Sequence, residues 1–173
     1  MTPKNYFLDK ELEREKNFSP IIEKVLAQNA EKIHESGIKI FEIKKSSPEE
    51  DMQKGFDFVF TMGNFTVPVR IRKPTCRFRD FTVRSMSRLG GKTEIHKLKE
   101  GAGDVYFYAW CKHIENKEVI DEWWLVNVHN LRNSGLLETE RKEIPNYDGT
   151  MFIAFKYEEL KAYDCIIATS RAA

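Results

Sequence analysis

The sequence predicts an α/β (mixed α+β) fold, with a central, mostly antiparallel or mixed sheet flanked by helices. Three observations predict it. An amphipathic helical stretch opens the folded part, alternating segments with a tight-turn signal follow, and a strand–helix–strand pattern closes the chain. With 173 residues, 41% of them hydrophobic, the chain suits one domain with a buried core and excludes wholesale disorder. The expected organisation is a single domain over residues 1–173: a charged N-terminal arm or helix at 1–18 and an α/β core at 19–173.

The elements follow in order. Residues 5–16 are highly charged and read as an exposed helix or arm. Ser19-Pro20 is a helix-start signal, Ser as N-cap and Pro at the first position. The helix after it places Ile21, Ile22, Val25, Leu26 and Ile33 on one face, and Gly37 ends it. Ile38, Ile40 and Ile43 mark a strand. Phe56, Phe58 and Phe60 then alternate with Asp57 and Val59, and Phe65, Val67, Val69 and Ile71 alternate with Thr66, Pro68, Arg70 and Arg72. Gly63-Asn64 between these two runs is a two-residue hairpin signal. Pro68 implies a strand with a free N–H side at that point.

Residues 79–84 read as a third strand, and residues 92–101, after Gly90-Gly91, as a helix. Strands follow at 104–111 and 122–128, separated by a polar turn at 112–121. A short helix at 130–137, a strand at 151–157, a helical turn at 158–163 and a last strand at 165–170 complete the chain. Neither repeats nor low-complexity linkers are present.

Charge is informative locally. The chain carries 28 Lys plus Arg against 27 Asp plus Glu, a formal net charge of +1. Residues 70–99 hold ten of the basic residues, six of them arginines, against Asp80 and Glu94 alone. That asymmetry points to a polyanion-binding face, and arginine forms bidentate contacts to phosphate. The candidate nucleic-acid-binding residues are Arg77, Arg79, Arg84, Arg88, Lys92, Lys97 and Lys99. A solvated surface is the plainer alternative.

The hairpin signal fixes a geometry. With Gly63 and Asn64 at the turn, Met62 faces Phe65, Phe60 faces Val67, Phe58 faces Val69 and Asp57 faces Arg70. Opposed Cβ atoms lie about 5 Å apart on one face. Arg72 lies two residues further along the face of Arg70. One face of the hairpin is therefore core. The other gathers an acid and two guanidinium groups, either as a cross-strand ion pair or as a phosphate-handling site.

Other chemistries are excluded or weak. Gly91-Lys92-Thr93 has Met86 where a P-loop needs its first Gly. Cys76, Cys111 and Cys165 form no CxxC, and the four His residues show no metal-ligand spacing, so neither a disulfide framework nor a zinc site is expected. The 21 aromatic residues cluster on strands and read as core. Tyr106, Tyr108 and Trp110 form the side on which base stacking is first sought.

The order helix, strand, GFDFVF, tight turn and VRIRK resembles the PD-(D/E)XK nuclease superfamily over residues 21–128, and DMQKGFD is similar to phage and prophage members with a D-x-Q-x-G-x-D pattern. The resemblance implies a restriction-endonuclease-like fold and a Mg²⁺- or Mn²⁺-dependent phosphodiesterase. Asp57 occupies the metal-binding Asp position, and Arg72 the Lys position. Arg70 stands where a second acid belongs, and an arginine repels a divalent cation. Asp51, Asp80 and Glu94 are the candidate relocated acids, with Asp57 and Asp80 as the metal pair. Glu23 on the first helix points to solvent. The catalytic set is thus Asp57, Arg70, Arg72, Asp80 and Glu94, and the partner DNA or RNA. The alternative is a non-catalytic nuclease-fold module that binds nucleic acid or inhibits a host protein through its basic patch. With no apolar run near membrane length and no leader pattern, the expected location is the cytoplasm.

Overall fold

The computed structural model describes residues 3–38, 43–45, 58–62, 65–76, 78–87 and 90–171. The expectations placed on Asp51, Asp57, the Gly63-Asn64 corner, Arg77 and Arg88 lie outside the described residues.

Helix α1 runs from Pro3–Gln28 without a break and carries Pro20 inside it. The expected start at Ser19 is not there, and the expected arm and core helix are one element. The reason is longer-range than the Ser-Pro signal. Phe18, Ile22, Val25 and Leu26 follow the i, i+4, i+7, i+8 spacing of a buried stripe that passes straight through Pro20. An interior proline costs about 3 kcal/mol, and burial of that stripe opposes it. Ile21 falls off the stripe and is exposed. Glu23 is exposed as expected. Helix α2 (Ala30–Glu35) follows. Gly37 ends it with φ of 91°, and the Ile38 amide reaches back to the Ile33 carbonyl at 3.3 Å.

Strands β1 (Ile43–Lys45), β2 (Phe58–Met62) and β3 (Phe65–Arg72) form an antiparallel meander. The β2–β3 register is the expected one: Met62 opposite Phe65, Phe60 opposite Val67, Phe58 opposite Val69. Strand β3 then pairs in parallel with β5 (Val105–Ile114), from Val69 beside Phe107 to Arg72 beside Trp110. Pro68 lies one residue before that ladder begins, so its missing N–H is tolerated in a central strand.

The β3–β5 crossover holds β4 (Phe81–Met86) and helix α3 (Glu94–Lys99). Strand β6 (Lys117–Asn127) returns antiparallel to β5. The expected polar turn at 112–121 is instead the far end of this ribbon. The turn itself is Glu115-Asn116, with φ of 48° and 63°, as a tight primed turn requires. Polar residues on a projecting ribbon carry no core signal, which is why they read as a loop.

Helix α4 (Val128–Asn133), strands β7 (Ile144–Pro145) and β8 (Met151–Phe155), helix α5 (Tyr157–Ala162) and strand β9 (Ile166–Thr169) complete the fold. The six-stranded sheet has the order β1-β2-β3-β5-β6-β9, and a separate three-stranded sheet the order β4-β8-β7. The mixed α+β class is as expected. The departure of β4 into a second sheet is not.

Each face of the large sheet has its own core. Val67, Val69, Ile71, Val105, Phe107 and Leu125 pack against α1 and α2. The opposite face presents Tyr106, Tyr108, Trp110 and Trp124 to Phe81, Val83, Ile153 and Phe155 of the small sheet and to Leu98 of α3. Phe81 meets Tyr106 edge-on at 5.2 Å between centroids, and Trp110 meets Trp124 at 4.7 Å. Such pairs contribute about 0.5–1.5 kcal/mol each beyond their burial. This aromatic layer holds the two sheets together. No described helix is long and apolar enough to cross a membrane.

Candidate functional site

Alternation along β3 sends Val67, Val69 and Ile71 toward α1 and sends Arg70 and Arg72 to the face between the two sheets. The parallel register sets Arg70 beside Tyr108 and Arg72 beside Trp110. The face expected to be polar and solvated is therefore the aromatic inter-sheet layer, and the arginines stand at its edge. There they border a cleft of about 660 Å³.

Among the described residues, five cationic side chains line this cleft, Arg14, Arg70, Arg72, Lys73 and Arg84, against one carboxylate, that of Asp148. They come from α1, β3, the residue after β3, and β4. A register shift between Arg84 and Met86 marks an irregularity in the β4–β8 ladder at this point. Such bulges bend a strand and re-aim its side chains. The other wall is the turn between β7 and β8, with Asn146, Tyr147 and Asp148.

The innermost cation is the most constrained. The Arg70 side chain is 12% exposed, and its Nη1 lies 3.1 Å from Glu94 Oε2 of α3, whose side chain is 3% exposed. Glu94 also accepts from the Tyr106 hydroxyl through Oε1 and from the Arg84 amide through Oε2 at 2.9 Å. Arg14 Nε donates to Glu118 at 2.7 Å. Among the described residues, Arg72, Lys73 and Arg84 have no ion-pair partner. Burial works against the Arg72 cation, but Tyr108 and a hydrogen bond with Cys76 leave its pKa above the ordinary value. Burial likewise pushes the Tyr108 hydroxyl up, with the two arginines pulling the other way. Tyr108 is a neutral donor or acceptor paired with Thr82 Oγ1 at 2.6 Å.

The sequence-derived candidates separate. Arg70, Arg72 and Arg84 meet in the cleft, and Glu94 lies behind Arg70. Arg79 is turned toward β6, with Nη2 2.7 Å from Asp121 and its guanidinium 5.6 Å over Trp110. Lys92 and Lys99 are engaged on the surface by Glu100 and Glu138, each at 2.7 Å. Lys97 is on α3, and neither it nor Asp80 lines the cleft. The basic run is thus not one face. Its described members divide among β3, β4, α3 and the segments that join them, because β4 leaves the sheet that β3 belongs to. Tyr106, Tyr108 and Trp110 are fully buried and offer no surface to a base.

Two participants escaped sequence reasoning. Arg14 reaches the cleft from α1 and stacks its guanidinium 5.9 Å from the Phe18 ring. Its spacing of four from Phe18 placed it on the buried stripe. Tyr147 sits fully exposed in an Asn-Tyr-Asp-Gly turn, where three turn-forming residues surround one aromatic.

Among the described residues, no group of three or more His, Cys, Asp or Glu side chains comes together. The Glu94 oxygens serve a guanidinium, a hydroxyl and an amide, which leaves a poor ligand for a hard cation. The described residues do not fit a Mg²⁺ or Mn²⁺ ion.

No family model matches the chain, and no curated protein matches it. A solved structure titled "Crystal Structure of MepB" is similar over 68% of this chain and 68% of its own, at 12% identity and a TM-score of 0.31. A likeness that slight bears no weight for fold or function.

Proposed function

We propose that this chain is a nucleic-acid-binding module that grips phosphodiester in the cleft at the end of β3 and does not cleave it. One observation carries the reading: Arg72, Lys73 and Arg84 converge on one concave site with no ion pair among the described residues, where Asp148 is the one described carboxylate in the lining. Unneutralised cations concentrated in a cleft focus a positive field that attracts polyanions. Arginine suits phosphate through its planar fork. The helix, strand and hairpin order favours a PD-(D/E)XK-like frame. Glu94, committed to Arg70, Tyr106 and the Arg84 amide, favours the binding alternative over the metal-dependent one.

The test is affinity for labelled oligonucleotides as a function of salt. Several phosphate contacts require a steep fall, about 0.7–0.9 log units per contact for each decade of salt. Lys73→Ala should reduce that slope by about one contact. A flat salt dependence would remove the reading and favour a protein partner. The same oligonucleotides incubated with Mg²⁺ or Mn²⁺ should stay intact, and metal-dependent cutting lost in Asp57→Ala would restore the nuclease.

A further inference from the structure

Tyr147 is an aromatic side chain with no protein surface covering it, at 102% relative exposure, on the wall of a cationic cleft. An exposed tyrosine is ordinary on a floppy loop. This one is held at the tip of a braced turn. The Asn146 amide donates to the Thr150 carbonyl at 2.8 Å, and the Gly149 amide to the Asn146 carbonyl at 3.1 Å. Asn146 Nδ2 donates to Thr150 Oγ1 at 2.9 Å. Asp148 Oδ1 accepts from the Thr150 amide at 3.0 Å and from its hydroxyl at 2.7 Å. The turn is closed by its own side chains, so the ring is presented rather than loosely tethered.

We infer that the cleft selects single-stranded nucleic acid, with an unpaired base stacked on Tyr147 and its phosphates on Arg72, Lys73 and Arg84. This rests on the proposed phosphate-binding function and adds the substrate class. A stacked duplex keeps its base faces covered and would offer Tyr147 nothing, whereas an unpaired base has a free π-face of any sequence. The concave shape of the cleft favours the same answer. A thin, flexible strand can bring a phosphate into a concavity that the stiff backbone of a duplex passes over.

The experiment measures fluorescence anisotropy of the full chain with four labelled probes: oligothymidine, oligouridine, an abasic strand of the same length, and a duplex. Unlabelled inorganic polyphosphate serves as competitor. The wild-type chain is expected to bind both single strands at least about tenfold more tightly than the duplex. Tyr147→Ala should weaken oligothymidine and oligouridine by about tenfold, leave the abasic strand unchanged, and be rescued by Tyr147→Phe. Phe78→Ala removes another exposed aromatic that does not line the cleft, and should change none of the four. Equal binding of duplex and single strand, or an unaltered affinity in Tyr147→Ala, overturns the inference while leaving phosphate binding standing. Failure of every probe to bind sinks the phosphate-binding reading itself.

Discussion

Arg70 Nη1 lies 3.1 Å from Glu94 Oε2, which joins a central strand of the large sheet to the first turn of α3 through a buried ion pair. The pair stands between the aromatic inter-sheet layer and the cleft, so it sets the back wall of the cleft. Glu94 is shared with Tyr106 and the Arg84 amide, and its loss would take a carboxylate away from a buried guanidinium, a hydroxyl and an amide at once. Removing one partner of such a pair costs about 3–5 kcal/mol. Glu94→Ala should therefore lower unfolding stability by about that amount in urea denaturation. Replacing both partners together, as Arg70→Met with Glu94→Leu, should cost less than the sum of the two single changes. Additive losses would show that the two side chains do not act as a pair.

The thiols should divide by burial. Burial pushes Cys111 up to about 11 and Cys165 up to about 12, while Cys76 is half-exposed beside the cleft. At mildly alkaline pH the two buried groups stay protonated and shielded, and thiolate is the nucleophile. Iodoacetamide should label Cys76 in the native protein and all three cysteines in denaturant, read by peptide mass. The linkage has a definite sign. Below the ordinary thiol value of 9.0 both states hold these protons and stability is independent of them. Above it the unfolded chain ionises first, so stability falls as pH rises from there toward the folded values. Cys165→Ala should flatten that decline.

Local chemistry was legible in the sequence where a short signal and the final structure agree. The β2–β3 register was readable from a two-residue turn signal in the sequence and strict alternation, because a slip of one residue would turn Val67 and Val69 out of the core. The C-terminal strand–helix–strand pattern was legible for the same reason. What could not be read was long-range. Nothing in residues 79–86 says that β4 pairs with β8, some seventy residues later, rather than with β3. That one pairing separates Arg79 from Arg70 and brings the β7–β8 turn to the cleft. The Ser19-Pro20 signal misled because it is local, while the stripe from Phe18 to Leu26 decides where α1 buries its side chains. Of the site itself, Arg70 and Arg72 were legible from alternation. Arg14 and Tyr147 needed the tertiary fold.

Gly103 is a position at which packing and backbone act together. Its φ is +78°, and a Cβ built there would meet Pro68 Cγ at 2.8 Å. Pro68 lies within β3, one residue before its parallel ladder with β5 begins and two residues from Arg70. Gly103→Ala should destabilise the chain by about 1–3 kcal/mol, the range for overpacking of a tight site. Adding Pro68→Ala should recover part of the loss, because it removes the clash but not the left-handed backbone that an L-residue resists. Full recovery would show that sterics alone set the requirement for glycine.

Asp148 tests whether the Tyr147 turn is braced in solution. The amide and hydroxyl of Thr150 hold the Asp148 carboxyl below its ordinary value of 3.8, with Arg84 adding to the effect from across the cleft. A depressed carboxylate contributes to the folded form above its unfolded pKa, and that contribution is lost as pH falls through the folded pKa. The turn should hence be closed at neutral pH and loosen only in strong acid. The Asp148 side-chain carbon resonance should titrate with a midpoint below 3.8. Thr150→Val should raise that midpoint only in part, since the amide contact is the larger cause and survives the change. Arg84→Ala should raise it further, and high salt should weaken the arginine's share while leaving the hydrogen-bonded share intact. A midpoint at or above 3.8 in the wild-type chain would mean that the turn is open, and that Tyr147 is tethered rather than presented.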